Sequence, residues 1–162
     1  RRDGLPVDAK FKKSFREHIE QFRLAGHDIE IVGPSFVPLH IALTVHVRSN
    51  YLKEDVRLSL LKVFSRKILL DGRRGFFHPD NFSFGQPVFL SRIVDKAMEV
   101  AGVSLIDAGE SEKHHFHRWG RPPQEEIVQG VIPIGRMEIA RLDNDPNAPE
   151  NGIIEFIMEG GL

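Results

Sequence analysis

LHIALTVHV, residues 39–47, decides the fold class. Leu39, Ile41, Leu43, Val45 and Val47 alternate with His40, Ala42, Thr44 and His46. Side chains along a strand point to opposite faces in turn, so this alternation predicts a strand with one buried and one polar face. His40 and His46 share the polar face. Six residues separate them, about 20 Å at the rise of a strand, too far for one metal ion. The preceding residues 27–38, HDIEIVGPSFVP, read as a further extended segment with Gly-Pro and Val-Pro kinks.

Helical periods flank this strand. Phe11, Phe15, Ile19 and Phe22 recur at spacings of four, four and three and make one helical stripe. Asp8 suits its N-cap and Gly26 follows its last turn. Val56, Leu60, Val63, Phe64 and Ile68 predict a second amphipathic helix within residues 51–70. Pro87 opens a third, with Leu90, Val94, Ala97 and Ala101 on one face and Gly102 as its stop. VSLIDAG, IPIGRMEIARL and NGIIEFIME read as strands, and EKHHFHRWGRPPQEE as a polar hairpin arm or loop. Strands adjacent late in the chain imply antiparallel pairing. The expected fold is α+β, a two-layer sandwich of ferredoxin-like character, with a mainly antiparallel sheet covered by two helices. Residues 1–26 are expected to form an N-terminal helix that links to an upstream region of a longer protein, and 27–162 to form the α+β assembly domain.

Composition narrows the chemistry. The 162 residues contain no Cys, which removes disulfides, thiolate zinc sites and cysteine nucleophiles. The 22 basic and 23 acidic residues nearly cancel, so no global field favours nucleic acid. No apolar run approaches the ~20 residues of a membrane span. Neither a Gly-rich phosphate loop nor a GxSxG nucleophile turn is present.

Three stretches hold candidate site residues. HHFH brings His114, His115 and His117 within four positions, and in a strand His115 and His117 would point the same way. They are the candidate metal ligands of a histidine-metal hydrolase or binding module, although no HExxH accompanies them. The expectation is no metal, no cofactor and no catalytic residue. ARLDNDPNAPENG, residues 140–152, sets Asp143, Asp145 and Asn147 at alternate positions like the first ligands of a calcium loop. Ala148 and Ile154 then stand where that loop needs Gly and Glu, so an ordered connection with Asx turns is expected instead. Residues 71–87, DGRRGFFHPDNFSFGQP, break all periodicity. A long loop rich in Phe is expected to pack on its domain and on a partner. Its interface candidates are Arg73, Arg74, Phe76, Phe77, His78, Asp80 and Phe82, joined by Asp143, Asp145 and Asn147 of the other loop.

Taken together, RLAGHDIEIVGPSFVPLHIALTVHV, GFFHPDNFSFGQPVFLS and ARLDNDPNAPENG resemble the C-terminal region of the baseplate J-like assembly proteins of contractile phage tails and related injection systems. The resemblance spans the chain from about residue 5 to Leu162, and the last two blocks are its specific part. It implies a structural, non-catalytic subunit in the cytoplasm, assembled with copies of itself and with other baseplate wedge proteins. It implies no nucleic acid, no small-molecule substrate, no metal motif and no active site.

Overall fold

The computed structural model describes residues 2–22, 26 and 28–162. Strand β1, Ser35–Val47, is the axis of a five-stranded sheet. Residues 28–34 form no strand, so the two extended segments expected there reduce to one. Along one edge of β1 run β3 (Val103–Asp107) and β4 (His115–Arg118), both antiparallel. Along the other edge run β6 (Glu138–Arg141) and β7 (Ile153–Gly160), both parallel. A second small sheet pairs β2 (Val88–Phe89) antiparallel with β5 (Val131–Ile132). The fold is therefore α+β, and three of the five ladders among the described residues are antiparallel.

The late strands do not pair with each other as the sequence suggested. Pro38 lies opposite Arg141 and His40 opposite Ile153, so β6 and β7 are two halves of one ladder. Residues 142–152 loop out between them, opposite Leu39. The other edge repeats the device: Thr44 opposes Asp107 and Ala42 opposes His115, so residues 108–114 loop out opposite Leu43. The sheet is three strands wide around one long axis. The physical reason is the length of β1. Its 13 residues exceed any one of its partners, so each edge is filled by two short segments in series.

Gly152 closes the neck of the 142–152 loop with φ 98° and ψ 140°. A Cβ there would lie 2.7 Å from the Arg141 carbonyl oxygen and 3.1 Å from the Leu39 nitrogen. Only glycine tolerates both the backbone angle and the approach. Asn144 Oδ1 accepts from the Ile154 N–H at 3.1 Å, and the Asn144 N–H donates to the Gly152 carbonyl at 3.0 Å.

Helix α1 (Ala9–Glu20) starts where the sequence indicates, with Asp8 Oδ1 accepting from the Phe11 N–H at 2.7 Å. Helix α2 (Lys53–Val63) ends earlier than the apolar repeat suggests. The Phe76 N–H takes the Val63 carbonyl, and Ile68 bridges Arg74 in a tight turn instead of continuing the helix. Helix α3 (Leu90–Met98) begins after Pro87 because Val88 and Phe89 are held by β5. A short α4 (Glu126–Gln129) precedes β5.

The odd residues of β1, from Val37 to Val47, are all buried in one core. Val56 and Leu60 of α2, Leu90, Ile93 and Ala97 of α3, and Phe116 and Phe156 of the flanking strands join them. The alternation that predicted a one-sided strand is thus met on that side. On the even side Ala42 and Thr44 are also buried, while His40 and His46 are half-buried.

Candidate functional site

The Phe-rich loop folds back on its own domain. Phe64, the C-cap of α2, is the hub, with ring centroids 5.3 Å from Phe76, 6.2 Å from Phe77 and 5.6 Å from Phe156. Phe82 stacks on Phe77 at 5.8 Å. Phe77 and His78 are buried, and Phe76 and Phe82 half-buried. These four expected interface residues are therefore committed, wholly or in part, to the core. Aromatic rings bury large apolar area, so the nearest core claims them first. Phe84, 52% exposed, is the ring of this loop that faces outward.

Polar groups then fix the loop. His78 Nδ1 accepts from the Asp80 N–H at 3.1 Å and caps the turn Pro79–Asn81. Asp80 Oδ1 accepts from the Asp3 N–H at 2.7 Å, and its other oxygen lies 3.6 Å from Arg74. The N-terminal segment is thereby held against the loop. Arg73 is exposed and pairs locally with Asp71 at 2.6 Å, which holds the Asp71 carboxyl below its usual range.

The 142–152 loop docks beside it. Asp143, largely buried, bridges Arg66 at 2.9 Å and Arg141 at 2.7 Å. Asp145 Oδ1 accepts from the Asn147 N–H at 2.9 Å, the expected Asx turn. Asp143 thus serves two guanidinium groups rather than an alternating ligand row. A groove of about 570 Å³ separates the two loops. Phe36, Arg66, Arg74, Phe82, Phe84 and Asp143 are among its walls.

No family model, curated protein or solved structure matches the chain.

The histidines are distributed differently from their order in the sequence. His115–Arg118 is neither a hairpin arm nor a loop, because it is strand β4, paired with the distant β1 rather than with a neighbouring segment. His114 leaves its neighbours. Its Nδ1 lies 2.7 Å from the Gly109 carbonyl, which can only accept, so Nδ1 carries the hydrogen. Its Nε2 takes the buried Thr44 hydroxyl at 2.7 Å. Both nitrogens are thus used to tie the 108–114 loop over the sheet, and the candidate trio of His114, His115 and His117 does not come together.

A different trio does. His117 lies directly opposite His40, and His115 opposite Ala42. Ala42 is small, so the His40 ring leans across it and stacks on His115 with centroids 4.1 Å apart and planes 10° from parallel. His40 and His117 meet edge-on at 5.0 Å. One donor nitrogen from each of the three rings lies within 4.8 Å of the other two. Burial, reinforced by the adjacent His115 and His117, lowers the His40 pKa to about 4. Burial and His117 also lower that of His115, against the pull of Glu155. His40 was visible in the sequence, but only strand pairing brings it to His115 and His117.

Proposed function

We propose that this chain is a non-catalytic structural subunit of a phage-tail-like contractile baseplate, assembled in the cytoplasm through contacts with copies of itself and with other wedge proteins. Its support in sequence is the resemblance carried by GFFHPDNFSFGQPVFLS and ARLDNDPNAPENG. Those two blocks also share the walls of one surface groove.

One structural observation carries the proposal. Helix α1 has an apolar stripe yet buries none of its residues. Phe11 and Phe15 stack at 5.6 Å, and Phe22 is 73% exposed. An isolated helix of fewer than ~12–15 residues is marginal in water and draws its stability from covering its apolar face. A 12-residue helix of this kind is suited to cover by another subunit. Clusters of exposed rings are also what anchors protein interfaces. A second apolar ridge, Leu58, Ile68 and Leu70, stands exposed at the end of α2.

The test is capture of the chain from its own cells followed by negative-stain microscopy. Sheathed tail-like particles should accompany the parent chain. Phe15→Glu combined with Phe22→Glu should leave the circular dichroism spectrum intact and remove the chain from the particles. Capture without such particles, or normal incorporation of the folded double variant, would overturn the proposal.

A further inference from the structure

We infer that His40, His115 and His117 form a binding site for one divalent transition-metal ion of the zinc class, which clamps β4 to β1 on the polar face of the sheet. The donor set is three imidazoles from two paired strands. Imidazole suits zinc, nickel, cobalt and copper, and the hard oxygen-seeking ions far less.

The geometry supplies most of what such a site needs. The His117 Nδ1 lies 2.7 Å from the Arg118 carbonyl, so Nδ1 carries the hydrogen and Nε2 keeps its lone pair. A backbone carbonyl on the far ring nitrogen is the usual device for orienting a ligating histidine. That Nε2 lies 3.0 Å from the His115 Nδ1. Two nitrogens on a tetrahedral zinc, each bonded at ~2.0–2.1 Å, stand about 3.3 Å apart. The ion therefore replaces one shared hydrogen with an opening of about 0.3 Å. The displaced hydrogen moves to the His115 Nε2, and the ring stays neutral.

His40 is the third ligand and the one that moves. A metal lies in the plane of each imidazole it binds, and the stacked rings of His40 and His115 are nearly parallel. Their planes must tilt before both can address one ion. His40 is half-buried on the open face, so a side-chain rotation there does not disturb the core. Water or Glu155, which opposes Ala42 on β7 and acts electrostatically on His115, would complete a tetrahedral set.

This site is separate from the assembly surfaces, and its test does not depend on them. Untagged protein is titrated with zinc by calorimetry, and with cobalt while the visible absorption is recorded. One ion per chain, a Kd of micromolar or tighter and the intense d–d bands of tetrahedral cobalt are expected. His40→Ala and His117→Ala should each weaken binding by at least the roughly 10–100-fold that even outer-shell partners are worth. His46→Ala, on the same face but beyond reach, should bind like the parent. A folded His40→Ala protein with parental affinity would overturn the inference. Weak binding of several ions, lost equally in His46→Ala, would reveal adventitious surface histidines and overturn it as well.

Discussion

Gly152→Ala tests whether β6 and β7 are one ladder pinched around a loop. The φ of 98° and ψ of 140° at this residue lie where an alanine is strained, at a cost of about 1–3 kcal/mol. The new methyl would also meet the Arg141 carbonyl oxygen at 2.7 Å, Leu142 Cα at 2.9 Å and the Leu39 nitrogen at 3.1 Å. These are backbone atoms of β6, β1 and the first residue of the loop and cannot rotate away, so crowding adds about 1–3 kcal/mol. The sum centres on about 4 kcal/mol, and at roughly 2–4 °C per kcal/mol for a domain of this size the midpoint falls by about 8–16 °C. Gly120→Ala is the control. Gly120 has φ 77° with nothing within 4 Å of an added Cβ, so only backbone strain acts. That strain is worth about 1–2 kcal/mol, or about 2–8 °C. The assay is thermal unfolding of both variants by calorimetry, with the ratio of van't Hoff to calorimetric enthalpy checked for two-state behaviour. Equal midpoints for the two variants would refute the pinched neck.

Thr44→Val should cost about 1–3 kcal/mol in urea unfolding, because the buried His114 nitrogen loses its hydroxyl partner, whereas Thr44→Ser should stay near the parent. Equal losses for the two would mean that the hydroxyl is not what Thr44 contributes. Phe77→Ala should destabilise by about 3–5 kcal/mol as a core truncation, while Phe84→Ala should remain within about 0.5 kcal/mol. The reverse order would place the loop's anchor on the wrong ring. Glu138 is held below the ordinary 4.5, first by the hydrogen bond from Arg118 and then by the Gly135 N–H. A depressed carboxylate contributes stability above its unfolded pKa and loses it as pH falls through the folded value. Parent and Glu138→Gln melting curves should therefore differ at neutral pH and converge in the acid range below 4.5. A gap independent of pH would sink that assignment.

Much of the local structure was legible in the residues. The alternation from Leu39 to Val47 was enough for a strand and its core face, because side-chain direction is a property of the strand itself. The same holds for the Asp8 cap, the Asx turn at Asp145 and the common direction of His115 and His117. Each of these rests on atoms a few positions apart. What the residues left open was who lies beside whom. Alternation says which face a side chain takes but not which strand is its neighbour. Hence α2 stops at Val63, the last two strands lie parallel to β1 in series, and Phe77 and His78 turn inward. The histidines follow the same division. Spacing aligned His115 with His117, but only the pairing of β4 on β1 brought in His40, and only the loop over Thr44 took His114 away. Register and loop closure are set by the burial of the whole sheet, an energy summed over residues far apart in the chain, and no local pattern contains it.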